Sequence, residues 1–578
     1  MSAEKAPPKN ILFIMFDQLR FDYLSCTGHP HLKTPHIDQL AEKAVRFSNC
    51  YVQSPVCGAS RMSFYTGRYV SSHGAAWNNI PLKVGEATLG DHLRDQGMDA
   101  YLIGKTHMKV DAKGMARLGL TPDSVIGARV SECGFDVITR DDGLWGNGPD
   151  GWYDDKPSPY QDYLYAQGYQ GDNPWHDYAN SGIDDQGDIA SGWLYANATY
   201  PANIREEDSE TPWLTREAIQ FIEQRRQQKG ATSPWCCHVS YIKPHWPYIV
   251  PAPYHNMYGE DDFVDVVRHD DELKDPNPIY AAFAGNKIGQ AFRRDDVRRA
   301  SLTAYMGLIK QIDDQMGVLF RYLEDTGQMD STMIVITSDH GDYMGDHWLG
   351  EKDLFHNPSV KVPLIVYDPS TAADETRGMV MDHVVEAIDL AATFVEFAGG
   401  DVPDEMIEGQ SLLPLIRGQM INGQMVKGQM VKGEAPQDWR GYAISEYDYS
   451  MSAMANHLGV APEDARLFMV ATPSWKMMHA EGGFPPMLFD LKNDPNELQD
   501  LGRDQGYAHI LKDCYDKLHE WAMRPSQRTT LSKKELIEGR TKSGRKGIIL
   551  GAVDAKDVTP EAMAVYSGKA RQNHLPKK

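Results

Sequence analysis

The sequence predicts an α/β protein: a large central, mostly parallel sheet flanked by helices, followed by a smaller C-terminal antiparallel sheet with a helix. Three observations carry that expectation. Two apolar runs of strand length, Asn10–Phe16 and Met333–Ser338, are hydrophobic on both faces, as the buried strands of a parallel sheet are. Segments of helical periodicity lie between them. After about residue 436 the texture changes to short strand candidates separated by turn signals.

The elements follow in order. Asn10–Phe16 reads as the first buried strand. Thr34–Phe47 opens with Thr-Pro and carries Ile37, Leu40, Ala41 and Ala44 at helical spacing, so it reads as a helix. Tyr101–Ile103 is a short strand. Residues 140–210 are rich in Asp, Gly, Tyr, Trp and Pro and read as a long insertion of loops beside a site. Trp235–Ile242 is a buried strand running into Pro244-His245, and its adjacent Cys236 and Cys237 belong to the core. Asp295–Leu323 is a long helix with Ala304, Leu308, Ile312 and Met316 on one stripe. Met333–Ser338 and Lys361–Tyr367 complete the large sheet. The repeats at Gly418, Gly423 and Gly428 recur every five residues, too short a period for a solenoid, and read as a surface loop or hairpin. Tyr442–Tyr447, Leu467–Ala471, Trp475–His479 and Met487–Leu491 form the small sheet, and Ile510–Met523 its helix. The expected domains are 1–435, large and α/β; 436–525, a C-terminal α+β subdomain; and 526–578, a basic polar tail that is disordered or an arm embracing another subunit.

The chain has 578 residues and a formal charge of −23. Such an acidic surface argues against a nucleic-acid partner, since phosphate backbones need a basic face. It leaves room for an anionic substrate, because a local cluster of Lys, His and metal inverts the field inside one pocket. The polar segment Met1–Asn10 has no apolar core of a secretory signal, and no run reaches the length of a membrane span. The seven cysteines are odd in number and scattered, which argues against a disulfide framework. The expectation is a reduced, cytoplasmic protein that does not engage membranes.

Both apolar runs end in groups able to ligate a metal: Asp17-Gln18 after the first and Asp339-His340 after the second. Ligands of open α/β sheets collect at strand carboxyl ends. Hard oxygen donors with one imidazole suit Mn²⁺ or Ca²⁺ better than a structural zinc. Asp also commonly caps helices, so each residue alone is a weak signal. Between the two pairs lies Cys57-Gly58-Ala59-Ser60-Arg61, followed by Thr66-Gly67-Arg68.

That stretch resembles the signature of the type I sulfatases, C-x-(P/A)-x-R followed by T-G-R, within the alkaline phosphatase superfamily. Ala59 stands where Pro is commoner, and Phe64-Tyr65 where leucines are usual. The resemblance implies that Cys57 is oxidised to formylglycine by a formylglycine-generating enzyme. One hydroxyl of the hydrated aldehyde, ionised by the metal and by Arg61, would attack sulfur in line. The second hydroxyl would lose its proton, the aldehyde would re-form and sulfate would leave, a route closed to serine. Asp17 and Asp339-His340 match family metal ligands. With Gln18 and His340 in place of a second Asp and of Asn, the pattern is similar to phosphonate monoester hydrolases and choline-sulfatase-like members. Gly104-Lys105-Thr106-His107 resembles the family G-K-x-H motif, which implies that Lys105 binds a sulfonate oxygen and that His107 takes the proton of the second hydroxyl. His245 and Lys352 match the pair beside the leaving oxygen, and Asn78 matches a pocket amide. His347 and His356 read as structural.

Residues 1–435 thus resemble the sulfatase catalytic domain. Leu488–Leu491 followed by Asp494-Pro-Asn-Glu497 resembles the family's C-terminal strand and D-P-x-E. The implied activity is hydrolysis of sulfate monoesters, arylsulfatase-like and promiscuous, on a small anionic ester, by a homodimer or homotetramer. Lys105 and His107 favour sulfate, since phosphonate monoester hydrolases tend to carry Tyr and Thr there. Phosphonate monoester or phosphodiester hydrolysis at the same site is the alternative. A binding protein with Cys57 left as a thiol, and a two-metal phosphomutase, are further alternatives. Trp145, Trp152, Tyr153 and Trp175 read as faces for an aryl or cationic leaving group, or as packing.

Overall fold

All eight residues of β1 (Asn10–Asp17) are buried, and the large sheet is built outward from this strand. The remaining strands are β2 (Val45–Tyr51), β3 (Asp99–Gly104), β4 (Asp136–Arg140), β5 (Ser181–Ile183), β6 (Ile189–Ser191), β7 (Trp235–Pro244), β8 (Thr332–Ser338), β9 (Lys361–Tyr367), β10 (Val380–Glu386), β11 (Met430–Val431), β12 (Ala443–Asp448), β13 (Arg466–Ala471), β14 (Trp475–Ala480) and β15 (Met487–Asp490). The computed structural model describes residues 9–78, 80–121, 124–143, 158–228, 233–418, 430–431, 439–526, 531–542, 553–558, 560 and 563.

The large sheet has nine strands in the order β11-β10-β2-β9-β8-β1-β7-β3-β4. Every pairing is parallel except those of β9, which runs antiparallel to both β2 and β8. The mostly parallel sheet read from the apolar runs is therefore present. Each fully buried Ile, Leu or Phe along β1 stabilises the sheet by about 1.5–3 kcal/mol. The helix Asp295–Asp325 crosses one face, with Ala304, Leu308, Ile312 and Met316 buried as the stripe predicts.

Two readings change. The helix expected over Thr34–Phe47 runs only from Pro35 to Ala41, and Val45 already belongs to β2. Ala44 fits the helical stripe, but Val45, Phe47 and Tyr51 are β-branched or aromatic, and pairing with β9 and β10 overrides local periodicity. The insertion over 140–210 holds a helix, Pro159–Ala166, and the hairpin β5–β6. Trp145, Trp152 and Tyr153 lie outside the described residues, as do most of the repeats after Gly418, the end of the tail and Met1–Pro8.

The second sheet, β12-β13-β14-β15, is antiparallel throughout. The helix Ala508–Ala522 covers it through Cys514 and Trp521, and its core includes Ile444, Val470, Met477 and Leu488, with Tyr69 and Ile388 from the larger part. The chain divides into two compact units, Met1–Val402 with Glu408–Arg524, and Pro403–Ile407 with Pro525–Lys578. All seven cysteines are free. Among the described residues no helix is long and apolar enough to cross a membrane.

Candidate active site

β1 and β8 are parallel neighbours, and Phe16 is the register partner of Ser338. The next residues, Asp17 and Asp339, therefore leave the sheet side by side at its carboxyl edge. β7, on the other side of β1, delivers Ser240, Lys243 and, just beyond its end, His245. β3, beside β7, delivers Lys105 and His107. Gly104 has φ +104°, and a Cβ there would stand 2.1 Å from the carbonyl oxygen of Ser240, so only glycine lets the chain turn into Lys105. Cys57 opens the helix Cys57–Thr66, whose ten residues are all buried. Gly67, with φ +65°, ends that helix in the left-handed region and donates its N–H to Ser63 O. The Thr66 hydroxyl bonds back to Met62 O and Arg68 pairs with Glu86, so the Thr-Gly-Arg triplet closes the helix that carries Cys57.

Arg61, one turn after Cys57 and fully buried, ties the strand ends together. Its Nε donates to Asp339 Oδ2 at 2.8 Å and its Nη2 to Asp17 Oδ2 at 3.3 Å. Its Nη1 donates to Ser240 Oγ at 2.7 Å and Lys105 O at 3.0 Å. Lys105 Nζ donates to Asp17 Oδ2. Lys352 Nζ stands 3.2 Å from Cys57 Sγ, 3.1 Å from Gln18 Oε1 and 3.3 Å from His245 Nε2. His340 Nε2 lies 3.0 Å from Cys57 Sγ. Asn78 accepts the Gly58 N–H through Oδ1 at 2.8 Å.

The charges shape one another. Burial pushes the Asp17 carboxyl up, but Lys105, His245, Arg61 and His340 together hold it well below the usual range. Burial opposes ionisation of Cys57, and Lys352 and His340 overcome this to draw the thiol down. His107 is pushed well below the usual imidazole range by burial and by Lys105. His245 is pushed down by burial, with Lys352 and Lys105 adding to it against Asp17. Both imidazoles are therefore neutral at pH 7.

Asp17, Cys57, Asp339 and His340 each offer a ligand atom within 4.8 Å of the others, and all four are buried. Asp17 Oδ1 is buried without a hydrogen-bond partner. An orphaned carboxylate oxygen costs free energy unless something cationic meets it, so the donor set fits a divalent ion. A second group, His36, Asp313 and Asp314, is also close enough to ligate. Lys310 already pairs with both of its acids, and Asp313 Oδ1 accepts the N–H groups of His36 and Ile37.

Cys57, Asn78, Lys105, His107, His245 and Lys352 line one cavity of about 390 Å³. Asp17, Gln18, Arg61, Asp339 and His340 form its floor through the contacts above. His347 and His356 stand outside its lining, stacked on each other at 4.1 Å. Several lining groups are absent from the residues the sequence singles out: Trp77, Trp193, Trp246, Glu351 and Asp353. Below the floor, Tyr248 and Asp342 hold the Gln18 amide nitrogen, which turns its Oε1 toward Lys352. Asp342, three residues after Asp339, and the acids flanking Lys352 were within reach of a reading that extended each motif by a few positions.

Residues 9–400 match the family model described as Sulfatase, and residues 345–524 match that of the N-sulphoglucosamine sulphohydrolase C-terminal region. The chain is 28% identical to the multifunctional alkaline phosphatase superfamily protein PehA of Trinickia caryophylli, over 92% of this chain and 99% of that one. It is 28% identical to an arylsulfatase of Clostridium perfringens, over 86% of this chain and 91% of that one. Among solved structures, the phosphonate monoester hydrolase SpPMH from Silicibacter pomeroyi superposes with a TM-score of 0.74 at 26% identity, covering 89% of this chain and 95% of that one. With two thirds of the sequence inside one family model and relatives matched nearly end to end, the chain belongs to the sulfatase family of the alkaline phosphatase superfamily and is a sulfuric ester hydrolase.

Proposed function

We propose that this chain hydrolyses sulfate monoesters with residue 57, oxidised from cysteine to formylglycine, as the nucleophile beside one divalent ion. The observation that carries this reading is a convergence. Four buried ligand atoms, one of them the orphaned Asp17 Oδ1, meet where Arg61, Lys105 and Lys352 concentrate positive charge. Cys57 Sγ marks the position that the oxygens of the oxidised side chain would take. Asp17, Gln18, Asp339, His340 and the oxidised side chain at Cys57 would hold the ion, Mn²⁺ or Ca²⁺ on the chemistry of the donor set. Bound there, it would supply Lewis acidity to the nucleophile and to the sulfuryl oxygens.

The rest falls to the side chains. Arg61 holds Asp17 and Asp339 in place and brings its charge under residue 57. Lys105 and Asn78 would bind sulfuryl oxygens, where an anionic transition state needs donors already in position. Lys352 and His245, 3.3 Å apart, face the leaving oxygen. As the sulfur–oxygen bond breaks, the alkoxide would take its proton from this pair. His107, neutral at pH 7, would accept the proton that residue 57 must lose for sulfate to depart. Water enters and the products are an alcohol and sulfate.

The formylglycine-generating enzyme is the partner this reading requires. Seven free cysteines suit a reduced, cytoplasmic setting. Homodimer or homotetramer formation through the C-terminal tail is part of the same proposal. Phosphonate monoester or phosphodiester hydrolysis is the second reading, favoured by Gln18 and His340 and by the likeness to the phosphonate monoester hydrolases. A panel of 4-nitrophenyl sulfate, a phosphonate monoester and a phosphodiester tests both, using metal-loaded wild type and Cys57→Ala. Sulfate turnover lost in Cys57→Ala is expected. Turnover that survives this substitution overturns the nucleophile, and a phosphonate preference replaces the first reading with the second.

A further inference from the structure

Besides its cationic groups, the lining of the active-site cavity has a second chemistry. Trp77, Trp175, Trp193 and Trp246 contribute indoles, and Glu351 and Asp353 contribute carboxylates. The rings are fixed. Trp77 stacks on Tyr447 at 5.6 Å and 15°, and Trp193 lies 5.0 Å from Trp246, which rests 4.3 Å from His245. The carboxylates are fixed too. Tyr195 donates to Glu351 Oε1 at 2.8 Å, and Tyr447 donates to Asp353 Oδ1 at 3.0 Å. Among the described residues neither acid is ion-paired with a Lys or Arg, and the Lys352 ammonium between them is turned to Gln18, Cys57 and His245. Burial pushes Glu351 up, and burial with the neighbouring Glu351 pushes Asp353 up to about 7, in both cases against the pull of Lys352. Glu351 and Asp353 also take φ +55° and +116°, strained conformations that persist where the surroundings hold them.

A neutral aryl group would fit the indole faces, but it would desolvate two acids further and return nothing to them. A compact organic cation satisfies both, through the ring faces and through the carboxylates. We propose that these indoles and carboxylates form an organic-cation subsite within the cavity. The preferred substrates are then zwitterionic: sulfate esters of small alcohols that carry a quaternary ammonium or a protonated amine. The inference rests on the sulfate-ester reading of the same site. The ester anion meets Lys105, Arg61 and Lys352, and the onium meets Trp77, Trp193, Trp246, Glu351 and Asp353.

The test compares 2-(trimethylammonio)ethyl sulfate with its neutral isostere 3,3-dimethylbutyl sulfate, and both with 4-nitrophenyl sulfate, on the metal-loaded full chain. The expected kcat/KM of the cationic ester exceeds that of the isostere by about tenfold or more, carried mainly by KM. Asp353→Asn should shrink that ratio to within about threefold. Equal kcat/KM for the two isosteres, or a higher value for the neutral one, overturns the subsite and leaves the sulfatase reading intact. If no ester is turned over, the sulfatase reading fails, and calorimetry with tetramethylammonium chloride decides the subsite alone. Saturable binding in the wild type that weakens in Asp353→Asn supports it; absence of binding overturns it. The wild-type isostere comparison stands even if Asp353→Asn does not fold.

Discussion

Asp17 and Asp339 are 322 positions apart in sequence yet share one guanidinium, because the residues before them, Phe16 and Ser338, are register partners on adjacent parallel strands. Arg61 spans the pair, and Asp17 Oδ1 is left over. Arg61 and Lys105 both meet Asp17 through Oδ2, so the unbonded Oδ1 is a buried carboxylate oxygen with room for a divalent cation.

Asp17→Asn and Asp339→Asn each remove one charge from that set. Both variants are expected to lose the ion, falling below about a tenth of an equivalent per chain by elemental analysis after gel filtration, and to lose sulfate-ester turnover with it. Full metal content in either variant would place the ion elsewhere.

His107 lies in the cavity with its imidazole held neutral by burial and by Lys105. His107→Ala is expected to slow release of sulfate more than release of the alcohol. Rapid-mixing kinetics with an aryl sulfate should then show a burst of about one equivalent per site followed by a stalled steady state. Equal loss of both phases would assign the proton transfer to another group.

Lys476 on β14 and Glu497 form an ion pair at 2.7 Å that is 0% and 1% exposed, and they fasten the small sheet to Phe355 and Asn357. Lys476→Met leaves the Glu497 charge buried and is expected to destabilise by about 3–5 kcal/mol in denaturant unfolding. The double variant Lys476→Met, Glu497→Gln should recover most of that loss, because the pair's cost of leaving water disappears with its attraction.

Glu446 on β12 is 6% exposed and accepts the Ser71 N–H through both oxygens. Burial raises its pKa from the ordinary 4.5 to about 7, against the pull of Arg524. The folded chain keeps this proton over a range where the unfolded chain has released it. Its contribution to stability is therefore complete below about pH 4.5 and is lost as pH rises toward 7. Glu446→Gln has no proton to lose. The stability of wild type relative to this variant should fall by about 3 kcal/mol across the window, read from urea midpoints at several pH values. A difference that is flat with pH would contradict the shift.

Much of the fold was legible, for reasons particular residues make plain. β1 and β8 announce themselves because both faces are buried, so no polar residue interrupts the run. Cys57 and Arg61 stand out through the resemblance of their stretch to the sulfatase signature. What the sequence did not disclose depends on register or distant contact. Val45–Phe47 continue a helical stripe, and only their pairing with β9 and β10 makes them a strand. That β9 runs against its neighbours is a matter of connection, since a buried strand reads alike in either direction. Trp77, Asp353 and Tyr447 come from three separate segments, and no periodicity joins them. They meet because β12 lies beside the cavity.

The account depends on residue 57 not remaining a thiol in the working enzyme. The peptide containing Cys57, from protein made alongside a formylglycine-generating enzyme, should weigh about 18 Da less than its cysteine form by mass spectrometry, with turnover rising in proportion to the converted fraction. A fully active preparation whose peptide carries an unmodified cysteine would contradict it.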